Sequence, residues 1–108
     1  MPLNLQHPVA TFFESNNAHD ADALASLFAA DARVHDEHAD HRGRDAIREW
    51  AEGTFRKYGT VLTPTKASEE SGAIVVTTGV AGTFPGSPIE LRFRFVTDGD
   101  TIQELEIG

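Results

Sequence analysis

The stretch FAADARVHDE (28–37), followed by HADHRGRDAIREW (38–50) and AEGTFRKY (51–58), decides the fold. Its beginning, at Phe28, closes a helical face begun by Leu24 and Leu27. A short strand is expected from about Arg33 to Glu37. Side chains alternate across a strand, so Ala32, Val34 and Asp36 share one face and His35 takes the other. A polar turn holding His38 and His41 follows, and then a helix led by Gly43. In that helix Ile47, Trp50, Ala51, Thr54, Phe55 and Tyr58 recur at i, i+3, i+4, i+7, i+8 and i+11, a continuous apolar face. Gly59 after Tyr58 suits a helix C-cap, because glycine accepts the left-handed conformation there.

Working outward, a first helix begins near Pro8, where a missing N–H is harmless. Val9, Phe12, Phe13 and Asn16 form its inward stripe. Asp20 has the chemistry of an N-cap for a second helix. The second half of the chain reads as strands. Val61 to Ser68 carries Pro64, which suggests an edge or a bulge. Glu70-Ser71-Gly72 turns into a Val- and Thr-rich strand from Ala73 to Phe84. After Pro85-Gly86-Ser87-Pro88, Ile89, Leu91, Phe93 and Phe95 alternate with Glu90, Arg92 and Arg94. Asp98-Gly99 leads into a last strand, Thr101 to Ile107. Helices segregated from strands predict an α+β domain, with three helices on a strongly curved, mostly antiparallel sheet.

The order helix, short strand bearing an acid after Ala-x-Val, and Gly-led helix resembles the nuclear transport factor two-like superfamily. Within it the chain is similar to the SnoaL-like polyketide cyclases and ketosteroid isomerases, over one domain spanning 1–108. The resemblance implies a cone-shaped fold with one deep pocket. It also implies that Asp36 is a general base, and that a nearby histidine, His38 or His41, takes part in acid–base chemistry. In the isomerases a helix-one tyrosine and a second strand acid stabilise the enolate. Phe12 and Phe93 stand near those places here, and neither donates a hydrogen bond, so steroid isomerase activity is not expected.

Chemistry supports the role of Asp36. A carboxylate among apolar groups has its charged form disfavoured and becomes a better proton acceptor. The competing reading is a solvated carboxylate at a strand end. Trp50, Phe55, Tyr58, Phe84, Phe93 and Phe95, with Phe12, are candidates to line the pocket, and equally candidates for plain core. His35, His38 and His41 lie among acids, but their spacing is irregular for one metal site, so neither metal nor cofactor is expected. Glu104 and Glu106 share a face of the last strand, opposite Leu105 and Ile107, and Arg92 and Arg94 are placed to pair with them.

Composition sets the remaining bounds. The 108 residues contain 9 basic and 17 acidic side chains, giving a formal charge of −8. Nucleic-acid binding draws on clustered Lys and Arg, so no such partner is expected. With no cysteine there is no disulfide framework and no thiol nucleophile. The opening Met1-Pro2-Leu3-Asn4-Leu5-Gln6-His7-Pro8 lacks a basic flank and a long apolar run, and no membrane segment is evident, so a cytoplasmic protein is expected. The expected partners are a small-molecule ligand and, through the outer sheet face, a second copy of the chain in a homodimer. The function expected is small-molecule binding with cofactor-free proton transfer on an apolar, ring-sized substrate. A non-catalytic ligand-binding or interaction module is the alternative.

Overall fold

The structure is a computed structural model that describes residues 4–108; Met1, Pro2 and Leu3, where the opening segment and the 1–108 domain begin, lie outside the described residues. Three helices, α1 (Val9–Asn17), α2 (Ala21–Ser26) and α3 (Arg44–Tyr58), pack on six strands. The strands are β1 (Phe28–Asp36), β2 (Ala39–Arg42), β3 (Val61–Glu70), β4 (Ala73–Ala81), β5 (Ile89–Asp98) and β6 (Thr101–Ile107). They form one sheet in the order β2-β1-β6-β5-β4-β3. Only the β1–β6 contact is parallel; the other neighbours are antiparallel. This is the α+β nuclear transport factor two-like cone.

The capping signals act as their chemistry predicts. The Asp20 carboxylate accepts from the Ala23 N–H at 3.0 Å, which satisfies one orphan donor of α2. Gly59 ends α3 at φ 58°, and its N–H reaches the Phe55 carbonyl. Pro64 lies on the edge strand β3, at a register shift between Pro64 and Lys66. Asn17 joins α1 to that strand by a two-way amide clasp: it donates to the Leu62 carbonyl and accepts from the Leu62 N–H, both at 2.8 Å.

Several local expectations are corrected. The second helix ends at Ser26, and Phe28 opens β1 instead of closing a helical face. β1 is therefore longer than the Arg33–Glu37 strand expected. The supposed polar turn is mostly a strand: β2 pairs with β1 through Asp36↔Ala39, Val34↔His41 and Arg33↔Arg42. Only Glu37 and His38 remain in the turn, at φ 52° and 65°, the two positive values of a type I′ hairpin. Without Asn-Gly at its tip the hairpin gives no sequence signal. β4 stops at Ala81, so Phe84 belongs to the β4–β5 connection. Gly82 makes that connection possible, since a Cβ there would lie 2.8 Å from the Tyr58 carbonyl.

The core lies between the helices and the concave sheet face. Phe12 is wholly buried and meets Phe13, Phe28, Phe93 and Phe95 largely edge to face, the arrangement that ring quadrupoles favour. Ile47 and Ala51 bury the stripe of α3, whereas Trp50 and Phe55 on the same stripe are half-buried. On β6 a register shift between Val96 and Thr97 of its partner lets both Ile102 and Leu105 point inward. Among the described residues no helix is long and apolar enough to cross a membrane.

Candidate functional site

A cavity of about 250 Å³ lies between α3, the end of α1 and the sheet. α1 contributes Phe12 and Asn16, one turn apart, and α3 contributes Trp50, Thr54 and Tyr58. The strands supply Asp36, Leu62, Val80, Ile89, Phe93 and Ile107. Phe84 reaches in from the β4–β5 connection. Its ring meets Tyr58 edge-on at 5.7 Å, and the Thr83 N–H bonded to the Tyr58 carbonyl at 2.8 Å holds the connection there.

Asp36 reaches this wall by strand alternation. Ala32 and Val34 on the same face are wholly buried, and Asp36, at the strand end, is half-buried. Its Oδ2 accepts the Trp50 indole N–H at 3.1 Å, so α3 fixes the carboxylate that β1 presents. Burial pushes the Asp36 carboxyl above the ordinary aspartate range, because water no longer solvates the anion. Glu37 adds like-charge repulsion, while the Trp50 N–H, His41 and the Glu37 backbone N–H pull the other way.

The predicted site residues separate into groups. Phe12, Asp36, Trp50, Tyr58, Phe84 and Phe93 meet at the cavity. Phe55 and Phe95 do not line it: Phe55 stacks on His19 at 4.9 Å, and Phe95 packs behind the wall against Phe12 and Phe13. His38 sits in the hairpin turn beside a surface hollow shared with His35 and Glu106. His41 is on β2, tilted against the Trp50 ring at 6.0 Å, and borders an adjoining hollow instead of the main cavity. The third histidine of the stretch, His35, faces outward and bonds Asp40 at 2.6 Å. Among the described residues no three His, Asp or Glu side chains gather as metal ligands.

Sequence reasoning missed Glu37, Thr60, Leu62, Val80, Ile89 and Ile107 as cavity lining, and placed Asn16 and Thr54 only in helix stripes. Asn16 carried a signal, being polar at an inward helical position. Thr60 carried none.

A model of the SnoaL-like domain matches residues 9–101. The chain belongs to the SnoaL-like family. A candidate polyketide cyclase from Sinorhizobium meliloti shares 35% identity with this SnoaL-like domain, covers 93% of it with 92% of its own chain, and superposes with a TM-score of 0.88. A ketosteroid isomerase-like protein from Catenulispora acidiphila, solved with trimethylamine, has 23% identity and a TM-score of 0.82 over 95% of this chain and 86% of its own. The epoxide hydrolase/cyclase-like enzyme SalBIII of salinomycin pyran-ring formation has 22% identity and a TM-score of 0.79, over 92% and 84% of the two chains. These last two likenesses show the fold alone. No curated protein matches the SnoaL-like sequence.

Proposed function

We propose that this SnoaL-like domain binds a neutral, mostly apolar, ring-sized molecule in the cavity and moves a proton on it, with Asp36 as the base. The observation that carries this reading is the Asp36 carboxylate in an aromatic-lined wall, oriented by Trp50 at 3.1 Å. Family membership and the cyclase assignment of the 35%-identical relative support small-molecule binding.

The step needs no cofactor. A carboxylate oxygen of Asp36 takes a proton from carbon next to a carbonyl, and the C–H electron pair forms the enolate. Asp36 then returns the proton at a second carbon, or the enolate carbon attacks a second carbonyl carbon of the same molecule, whose C=O π pair moves onto oxygen and takes the proton back from Asp36 as the ring closes. Trp50 acts as a positioning residue. His41, tilted against that ring at 6.0 Å, acts on Asp36 electrostatically and favours its anion.

The test is hydrogen–deuterium exchange at the α-carbons of 2-tetralone in D₂O, followed by proton NMR. The protein should speed exchange, and Asp36→Asn should remove the acceleration while keeping ketone binding. Phe12 and Phe93 favour a second reading, ligand holding without turnover, because neither ring can donate a hydrogen bond to an enolate. Saturable ketone binding without faster exchange would select it. A homodimer through the outer sheet face belongs to the same proposal. Arg92, Arg94, Glu104 and Glu106 lie on that face, uncovered by the helices. Sedimentation equilibrium tests it, and a monomer at tens of micromolar would reject it.

A further inference from the structure

Thr60 joins the C-cap of α3 to β3 and lines the cavity, with only 5% of its surface exposed. Its backbone carbonyl is fully used. It accepts from His19 Nε2 at 2.8 Å and from Asn16 Nδ2 at 3.3 Å. Its side chain is not: among the described residues Thr60 Oγ1 is the one buried side-chain nitrogen or oxygen without a hydrogen-bond partner. Thr78 makes the contrast plain. It is equally buried, yet its hydroxyl donates to the Val76 carbonyl at 3.2 Å.

A buried hydroxyl without a partner is costly, and folded chains rarely keep one unless something else uses it. His19, Asn16 and the Asn17 clasp on Leu62 hold the Thr60 backbone from both sides. As the side chain stands the hydroxyl oxygen is closed off, and rotation of about 120° about χ1 carries it to another staggered position on a residue that lines the cavity. Asn16 borders the cavity beside it, with its side-chain amide donating to the Thr60 backbone carbonyl and to Asn17 Oδ1.

Position separates this group from Asp36. α3 runs along the cavity from Trp50, bonded to Asp36, to Tyr58, two residues before Thr60. At about 1.5 Å per residue, that stretch of helix spans on the order of 12 Å. The cavity therefore has polar groups toward both of its ends and aromatic rings between. Its charged lining residues, Asp36 and Glu37, are both acidic and both at the far end, so an anion gains nothing near Thr60.

We propose that Thr60, backed by Asn16, is a second polar subsite that binds an uncharged hydroxyl or carbonyl oxygen of the ligand, remote from the group that faces Asp36. This rests on the proposed function, and it defines the substrate class as a two- or three-ring neutral compound with oxygen functions at two separated positions.

Two ketones test it, 2-tetralone and 6-hydroxy-2-tetralone, titrated against the fluorescence of Trp50, the single tryptophan of the chain. Wild-type protein should bind the hydroxy ketone about tenfold more tightly. Thr60→Val should erase that preference, keep 2-tetralone affinity, and melt at the same temperature or higher, because the unpartnered hydroxyl is gone. Thr60→Ser should restore the preference. Equal binding of the two ketones by the wild type overturns the inference without any variant. A lower melting temperature for Thr60→Val also overturns it, since the hydroxyl would then serve the fold. In both cases the Asp36→Asn exchange result stands untouched. Failure of either ketone to bind overturns this inference and the proposed function together.

Discussion

Asp36 and Asp40 stand on the same β1–β2 hairpin and live in opposite electrostatic worlds. Asp36 faces the concave side, where burial is only partly offset by a neutral indole, and its carboxyl rises above the ordinary range. Asp40 faces outward. It bonds the His35 ring at 2.6 Å and the Arg33 guanidinium at 2.9 Å, and these partners, His35 first, hold its carboxyl below the ordinary range. Arg33 also reaches Glu104 at 2.9 Å, and Arg94 reaches Glu106 at 3.2 Å. One hairpin thus carries a carboxylate primed to take a proton and another kept from doing so. The difference comes from strand alternation and from what waits on each side, not from residue type.

The strongest way to break this contrast is to remove the inward carboxylate. Asp36→Asn should lower α-carbon exchange by about 100-fold or more, the scale of general-base catalysis, while Asp40→Asn leaves it unchanged. NMR exchange rates of both variants decide.

The next test compares neighbours on β6. Leu105 is wholly buried, and Leu105→Ala should cost about 2–5 kcal/mol in urea unfolding. Glu106→Ala on the other face should cost less than about 1 kcal/mol, because its ion pairs are partly exposed and screened.

Stability against pH sharpens the comparison further. Asp36 has a raised folded-state pKa, so the folded state holds its proton more tightly than the unfolded chain does. Its effect is a loss of stability as pH climbs from the ordinary aspartate value to the folded one. Asp36→Asn should therefore raise the melting temperature at neutral pH and flatten that part of the profile. Asp40 has the opposite sign. Its contribution is present above the ordinary value and fades as pH falls through the depressed folded one, a weak effect at so exposed a site. Melting temperatures between pH 3 and 8, a window spanning about the aspartate range, read both.

The smallest expected effect concerns Trp50. Trp50→Phe removes the N–H that favours the anion, so the Asp36 carboxyl should climb further and the pH–rate profile for exchange should move upward. A profile that stays in place would deny Trp50 its positioning role.

The concave face was largely legible in the sequence because it is built from periods. Period two set Val34 beside Asp36, and Phe93 beside Phe95; helical spacing set Phe12 near Asn16 and Trp50 near Tyr58. What escaped was set by contacts between distant segments. β2 reads Ala-Asp-His-Arg and has no wholly buried position, so no alternation betrayed it. Phe55 shares the stripe of α3 but turns to His19 in the α1–α2 connection, and a stripe does not say which of its members meets a neighbouring loop. Arg92, expected to pair across to the β6 glutamates, reaches Glu70 instead; Arg33, from the other half of the chain, takes Glu104. Thr60 was invisible because an unmet hydrogen bond exists only once every neighbour is in place.

The parallel seam between β1 and β6 carries a consequence for how the molecule comes to exist. Arg33 pairs with Glu104 and Val34 with Leu105, so β1 cannot complete its ladder until the hairpin of β5 and β6 has formed and slotted beside it. Pairings this remote are slow, because the entropy of closing a long loop is lost before any contact repays it. A nascent chain would carry its phenylalanines and the bare edge of β1 unprotected for most of its synthesis, an invitation to sticky encounters. Asp36 at the strand's end, the proposed base, is thus among the last things assembled, and slow refolding with late recovery of ligand binding would be its kinetic signature.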